Sequence, residues 1–244
     1  MTESCTYSVY WPLLEGTKKD GTKRYSYRAS FGLVPRKGEN MVVFKGKAFS
    51  YQDVYARSVV VKGFRYYCGN TQDCKMYKLC SEQGRIVAER FNKFLDKTSC
   101  KIRFVVPAVT EIDQRATLTH KKKWERDEAV VFEEKLKGEF AIFVDKRGNT
   151  STHCDLILEA FCHFSLHASR GSFVICGLKG VQRKDTSEFI LTNPTIHSRE
   201  GRFGPKDKRD AGIQDFNNNH KCNKFCSIFI NKPDCEFDQA SDEC

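Results

Sequence analysis

One imidazole and two thiols stand within seven residues towards the end of the chain: His220, Cys222 and Cys226. Zinc takes four nitrogen or sulfur ligands in a tetrahedron, so a fourth has to arrive from elsewhere in the sequence. A bound metal would then pin a distant segment to this one, and metal binding would become part of folding. On a helix, Cys222 and Cys226 are four apart and share a face, with His220 folding over from the preceding turn. The alternative is two buried thiols beside a surface histidine. The chain has 12 cysteines in 244 residues, and its first stretch, MTESCTYSVYWPLLEG, has no basic segment followed by an apolar one. A reducing, cytoplasmic setting is therefore expected, which favours thiols and metal ligation over a disulfide framework.

Hydrophobic residues make up 40% of the chain and aromatics 12%, with 6 Pro. That composition supports a sizeable core and excludes a disordered or collagen-like chain. No run of about 18 apolar residues is present, so no membrane span is expected. The formal net charge is +10. Such a balance suits a polyanionic ligand, nucleic acid or an acidic surface, and equally a solvated exterior. The runs His120-Lys121-Lys122-Lys123 and Lys206 to Arg209 carry the polyanion reading. No DNA or RNA recognition motif accompanies them, so nucleic acid is not the expected partner.

Alternation predicts strands at Arg24 to Leu33 and Asn40 to Lys45, joined as a hairpin. Tyr51 to Phe64 is ambiguous. A helix is predicted over Cys80 to Leu95, then strands at Lys101 to Val109 and Glu128 to Glu133. Gly138 to Val144 reads as extended and is followed by a turn at Lys146 to Thr150. A second helix is predicted from His153 to Ser165, and a strand from Ser172 to Cys176. Gln182 to Asp210 reads as loop, followed by a short helix around Ile213 to Phe216 and a polar acidic tail from Asp234. The pattern is α+β.

Several segments then line up in order. They are Ala160-Phe161-Cys162-His163-Phe164-Ser165, Gly177-Leu178-Lys179-Gly180-Val181 and Leu191-Thr192-Asn193-Pro194-Thr195-Ile196-His197. Phe203-Gly204 and His220-Lys221-Cys222-Asn223 follow, ending at Cys226. Their order and spacing resemble the second half of the alpha-kinase family, whose pattern runs A-F-S-H-F-T-Y, D-L-Q-G-V, L-T-D-P-x-I-H, F-G-x-x-N-L-G and H-x-C-N-x-x-C. Upstream, Val131 to Phe140 resembles V-E-E-x-x-x-G-E-F. Ala88 to Asn92 resembles A-x-x-F-N, Val42 to Lys45 the strand of the phosphate-contacting lysine, and Arg24 with Tyr27 the R-x-x-Y strand. The resemblance covers about residue 10 to 232. It implies a two-lobed α+β domain over 1–244, with a β-rich N-lobe at about 1–132, a mixed C-lobe with integral zinc at about 133–233, and a tail at 234–244.

The resemblance also implies the zinc ligands: His163, His220, Cys222 and Cys226, with His197 and His167 as lesser alternatives. It implies that Lys45 contacts nucleotide phosphate, and that Glu133 and Glu134 fix that lysine and the adenine edge. Phosphoryl transfer needs metal ions, a carboxylate and a cation on the phosphates. The family's catalytic aspartate is Gly177 here, the glutamine two residues on is Lys179, and the metal-binding aspartate is Asn193. Glycine cannot accept a proton, and a neutral amide is a poor substitute for an anionic oxygen on Mg²⁺. Asn-Leu-Gly after Phe203-Gly204 is replaced by Asp207-Lys208-Arg209. The expected function is therefore a pseudokinase or repurposed binding module that keeps structural zinc and takes a nucleotide or another anionic small molecule. The alternatives are an active ATP- and Mg²⁺-dependent serine/threonine kinase with relocated acids, at Asp207 or Asp185, acting on a protein substrate, and a polyanion-binding protein.

Overall fold

The computed structural model describes residues 6–11, 25–31, 36–37, 41–49, 57–95, 100–112, 125, 128–152, 154–183 and 185–230. In chain order the elements begin β1 (Thr6–Trp11), β2 (Tyr25–Phe31), β3 (Arg36–Lys37), β4 (Met41–Phe49) and β5 (Arg57–Phe64). The long helix α1 (Thr71–Phe94), β6 (Lys101–Val105), β7 (Ala108–Ile112), β8 (Ala129–Glu134) and β9 (Phe140–Ile142) come next. Then follow α2 (Leu156–Ala168), β10 (Phe173–Cys176), β11 (Lys179–Arg183), β12 (Glu188–Thr192) and β13 (Thr195–Ser198). The helices α3 (Arg209–Asn219) and α4 (Ser227–Ile230) complete the order. Arg24, the run His120 to Lys123 and the tail from Asp234 lie outside the described residues.

The chain divides into two compact units. Met1–Lys78 and Pro107–Lys135 form one; Leu79–Val106 and Leu136–Cys244 form the other. The first unit holds a seven-stranded antiparallel sheet in the order β2-β1-β7-β8-β5-β4-β3, and an additional β2–β4 pairing closes it on itself. The β2–β4 pairing covers edges that β2 and β4 would otherwise expose. Val42, Phe44, Val59, Val61, Val130 and Phe132 are buried on one face. On the other, Met41, Phe64, Ala129 and Val131 pack with Cys74 of α1.

The second unit pairs a four-stranded sheet, β6-β12-β11-β9, with a two-stranded antiparallel sheet, β10-β13, and the helices from Leu79 onwards. Its core is aromatic. Phe91 of α1 meets Phe161 and Phe164 of α2 and Phe229 of α4, with ring centroids 5.7, 5.2 and 6.4 Å away.

The structure departs from the sequence reading in four local places. Helix α1 starts at Thr71, not Cys80, because Asn70 and Asp73 form a reciprocal cap: Asp73 N donates to Asn70 Oδ1 (2.9 Å) and Asn70 N to Asp73 Oδ2 (3.1 Å). The predicted strand Lys101 to Val109 is two strands. β6 pairs in parallel with β12, and β7 joins the closed sheet; the break falls at Pro107, which has no N–H to donate. The expected loop from Gln182 to Asp210 contains β12 and β13. Asn193 makes the turn between them at φ 45°, a left-handed conformation that asparagine tolerates better than most residues. Finally, Cys222 and Cys226 share no helix: Cys222 is in irregular backbone and Cys226 in the turn before α4.

Candidate functional site

Asp155 caps α2 by accepting from Ile157 N at 3.0 Å. This helix carries His163 two turns in. His220 ends α3, where its N–H donates to Phe216 O, and its ring stacks on Phe216 with centroids 5.0 Å apart. His163 meets the Phe229 ring edge-on at 5.4 Å. These contacts bring His163, His220, Cys222 and Cys226 together, with one ligand atom of each within 4.8 Å of the others. His220 Nε2 lies 3.0 Å from His163 Nδ1, Cys222 Sγ 3.5 Å from His163 Nδ1, and Cys226 Sγ 3.7 Å from His220 Nε2. A tetrahedral zinc ion would set such donor atoms about 3.3–3.7 Å apart. Burial, with the His220 and His167 rings beside it, pushes His163 down to about 4, so the ring is neutral and has a free lone pair. Burial raises the Cys226 thiol, although the N–H of Asn223 works against this. A cation would oppose that rise and hold a thiolate. The group can therefore hold a soft divalent metal.

The lesser histidine alternatives separate clearly. His197 is fully buried, with Nε2 2.7 Å from Lys146 O and Nδ1 accepting from Lys208 N at 3.1 Å. Both ring nitrogens are thus committed to backbone, and no lone pair remains for a metal. His167 packs against Phe229 at 5.6 Å and is not in the four-residue group.

The positions that the resemblance sets opposite the family's catalytic residues have their own geometry. Gly177 is buried at φ 62°, and its N–H donates to Asp145 O at 2.9 Å. A Cβ built there would lie 2.7 Å from Thr195 Oγ1 and 3.1 Å from Thr195 N. Lys179 is half-buried on β11, opposite Ile142 of β9. Asn193 is half-buried in its left-handed turn. Replacing Gly177 with aspartate is expected to cost about 2–4 kcal/mol, combining a left-handed non-glycine residue with overpacking against Thr195. The measurement is the urea midpoint of Gly177→Asp against the parent; an unchanged midpoint would contradict the crowding argument.

Asp207 is no spare acid. Its Oδ1 accepts from Ser198 N (2.8 Å) and Arg209 N (2.9 Å), and its Oδ2 from Ser198 Oγ (2.6 Å) and Phe203 N (3.2 Å). Burial alone would raise its carboxyl, but these donors outweigh it and hold the group below the usual carboxylate value. Asp185 is exposed and bonded to Arg183 at 3.2 Å.

In the first unit, the strand registers Lys45↔Val60, Val43↔Lys62 and Val60↔Glu133 put Lys45, Lys62 and Glu133 on one face of the sheet. Glu133 is buried and ion-paired with Lys62, which is itself buried; Lys45 is exposed. Glu133 is thus ion-paired with Lys62, a lysine the sequence reading does not name. Glu134 is exposed, on the opposite face. Sequence reasoning passed over Lys62, although a lysine ending the run Val59-Val60-Val61 was a visible signal. A charge that is itself buried in a strand needs a partner.

The alpha-kinase family profile matches residues 19–226. This chain belongs to the alpha-kinase family. Alpha-protein kinase vwkA of Dictyostelium discoideum is 28% identical over 181 residues, covering 71% of this chain and 27% of that protein. Myosin heavy chain kinase A of the same organism is 28% identical over 158 residues, covering 64% of this chain and 12% of the relative. The chain thus spans about a quarter or less of the length of these relatives. The solved alpha-kinase domain of myosin heavy chain kinase A in complex with ADP superposes with TM-score 0.70 at 20% identity, covering 93% of this chain and 97% of that one. An alpha kinase from Entamoeba histolytica gives TM-score 0.71 at 20% identity, covering 93% and 92%. These likenesses show the two-lobed α+β alpha-kinase fold. Among the described residues, no helix is long and apolar enough to cross a membrane.

Proposed function

We propose that this alpha-kinase chain is a non-transferring member: a zinc-bearing domain that binds a nucleotide or another anionic small molecule without passing on its phosphate. The observation that carries this reading is Gly177. The position aligned with the family's catalytic aspartate has no side chain, sits in left-handed backbone, and is bordered by Thr195 where a Cβ would have to go. Asn193 offers only a neutral oxygen at the aligned metal position, and Lys179 adds a cation. Asp207 and Asp185 are engaged elsewhere, which weakens the case for relocated acids.

Relatives support the separation of binding from transfer. The myosin heavy chain kinase A domain has been solved with ADP, AMP and adenosine. Two inactive aspartate-to-alanine forms of it have been solved with ATP. The Lys62–Glu133 pair is the feature that favours the second reading, an active serine/threonine kinase, because it places a buried ammonium where a strand could present it to phosphate. We assign the phosphate contact to Lys62 ahead of Lys45. We also read His163, His220, Cys222 and Cys226 as a structural zinc centre, on their distances and donor chemistry.

Calorimetric titration with ATP, run with and without Mg²⁺, is expected to give binding that barely depends on the cation, since no carboxylate is supplied at Gly177 or Asn193. Incubation with γ-labelled ATP and a peptide panel is expected to give no transfer above the protein-free blank. Robust transfer, to a peptide or to the chain itself, would reject this reading in favour of the active kinase.

A further inference from the structure

The four ligand atoms come from two places: His163 from α2, and the other three from the segment after α3. Something has to hold that segment against the helix. Asn223, between the two cysteines, does so through its side-chain Nδ2, while its Oδ1 braces the segment itself. Its Nδ2 donates to Leu156 O at 3.0 Å and to Glu159 Oε2 at 3.3 Å, both on α2. Glu159 lies one helical turn before His163 on the same face. Asn223 Oδ1 accepts from Phe225 N at 2.9 Å, shaping the turn that delivers Cys226. Its backbone N–H points at Cys226 Sγ, 3.5 Å away.

We infer that Asn223 is the positioning residue of the metal centre, clasping the cysteine segment onto α2 and donating to a ligand sulfur, so that it sets how long the metal stays bound. This rests on the zinc reading above. Partners that orient metal ligands commonly shift metal affinity about 10–100-fold when removed. The side chain of Asn223 fixes the ligand backbone, and the residue's backbone N–H, kept in every substitution, bonds to the sulfur. Cys222 is exposed, so solvent and chelator reach the site from that side, and a tightly held turn is what slows exit.

The test uses the full chain purified with zinc, with release to a chromophoric chelator followed at 25 °C. Asn223→Ala is expected to release zinc about 10–100 times faster than the parent. Asn223→Asp keeps the Oδ1 acceptor but loses both donors and sets a carboxylate against Glu159; it too is expected to release faster. Gly84→Ala, which crowds Phe104 in the same unit, is expected to lower the thermal midpoint yet release zinc at the parent rate. That contrast separates positioning from general destabilisation. A folded Asn223→Ala that releases zinc at the parent rate overturns the inference. If that variant does not fold, Glu159→Ala decides in its place: faster release supports the clasp, and the parent rate overturns it. A parent chain without zinc by metal analysis defeats the zinc reading itself, a result distinct from unchanged release.

Discussion

Replacing Cys226 with serine is expected to lower the midpoint of thermal unfolding by about 8–20 °C. Loss of a structural metal belongs to the short list of changes that reach about 4–5 kcal/mol. Each kcal/mol shifts the midpoint by about 2–4 °C for a chain of this size. Cys226 is fully buried, and Phe229, three residues on, packs against His163, Phe91 and Phe164. On the zinc reading, losing a ligand at Cys226 would therefore loosen the aromatic core as well as the site. A strong chelator is expected to reproduce the drop in the parent and to add little in the variant. Cys68→Ser, at an exposed cysteine before α1, serves as the control and should leave the midpoint alone. Equal midpoints for the two variants would rule out the structural metal.

Acid should act in the same direction. In the metal-free fold His163 is pushed down to about 4, against an ordinary 6.5, chiefly by burial and then by His220 and His167. The unfolded chain binds the proton first, so stability falls as pH drops from about 6.5 to about 4. Protons also compete with zinc for the same nitrogen.

Lys62→Met is expected to cost about 3–5 kcal/mol, because it leaves the Glu133 carboxylate buried with its ammonium gone. The side chains are 11% and 3% exposed, so water cannot take over the lost role. The double variant Lys62→Met/Glu133→Leu should recover most of that loss, since replacing both members of a buried ion pair removes the buried charge as well as its partner. Lys45→Met, on the same face but exposed, should stay within about 0.5 kcal/mol of the parent. Urea unfolding of the four proteins checks this. A single Lys62 variant as stable as the double would mean the pair is not coupled. ATP titration of the same set asks which lysine contacts phosphate: Lys62→Met should lose the binding heat and Lys45→Met should keep it.

Much of the site was legible because it is local or carried by a motif. His220, Cys222 and Cys226 stand close in sequence, and the resemblance supplied His163 as the fourth donor. The structure places all four together, though by a turn and not by a shared helix face. Gly177 and Asn193 were legible as missing acids. What was hidden depended on pairings distant in sequence. Glu133 could be read as a site residue, but its choice of Lys62 over Lys45 is set by β5 lying between β4 and β8. Asp207 stands in the sequence as one alternative for a relocated acid, but Ser198, Phe203 and Arg209 take up its oxygens. His197 read as a possible ligand until both nitrogens were found on backbone groups of other segments.

The amino-acid sequence by itself determined the α+β class, the family resemblance and three close-set candidate donors, His220, Cys222 and Cys226, because residue identity and local spacing are enough for each. Only the tertiary structure decided which lysine is buried against Glu133, that Thr195 borders the space beside Gly177, and that Asn223 ties the cysteine turn to α2. Those facts depend on strand register and on contacts between segments far apart in the chain, where burial turns an ordinary side chain into one that has to find a partner.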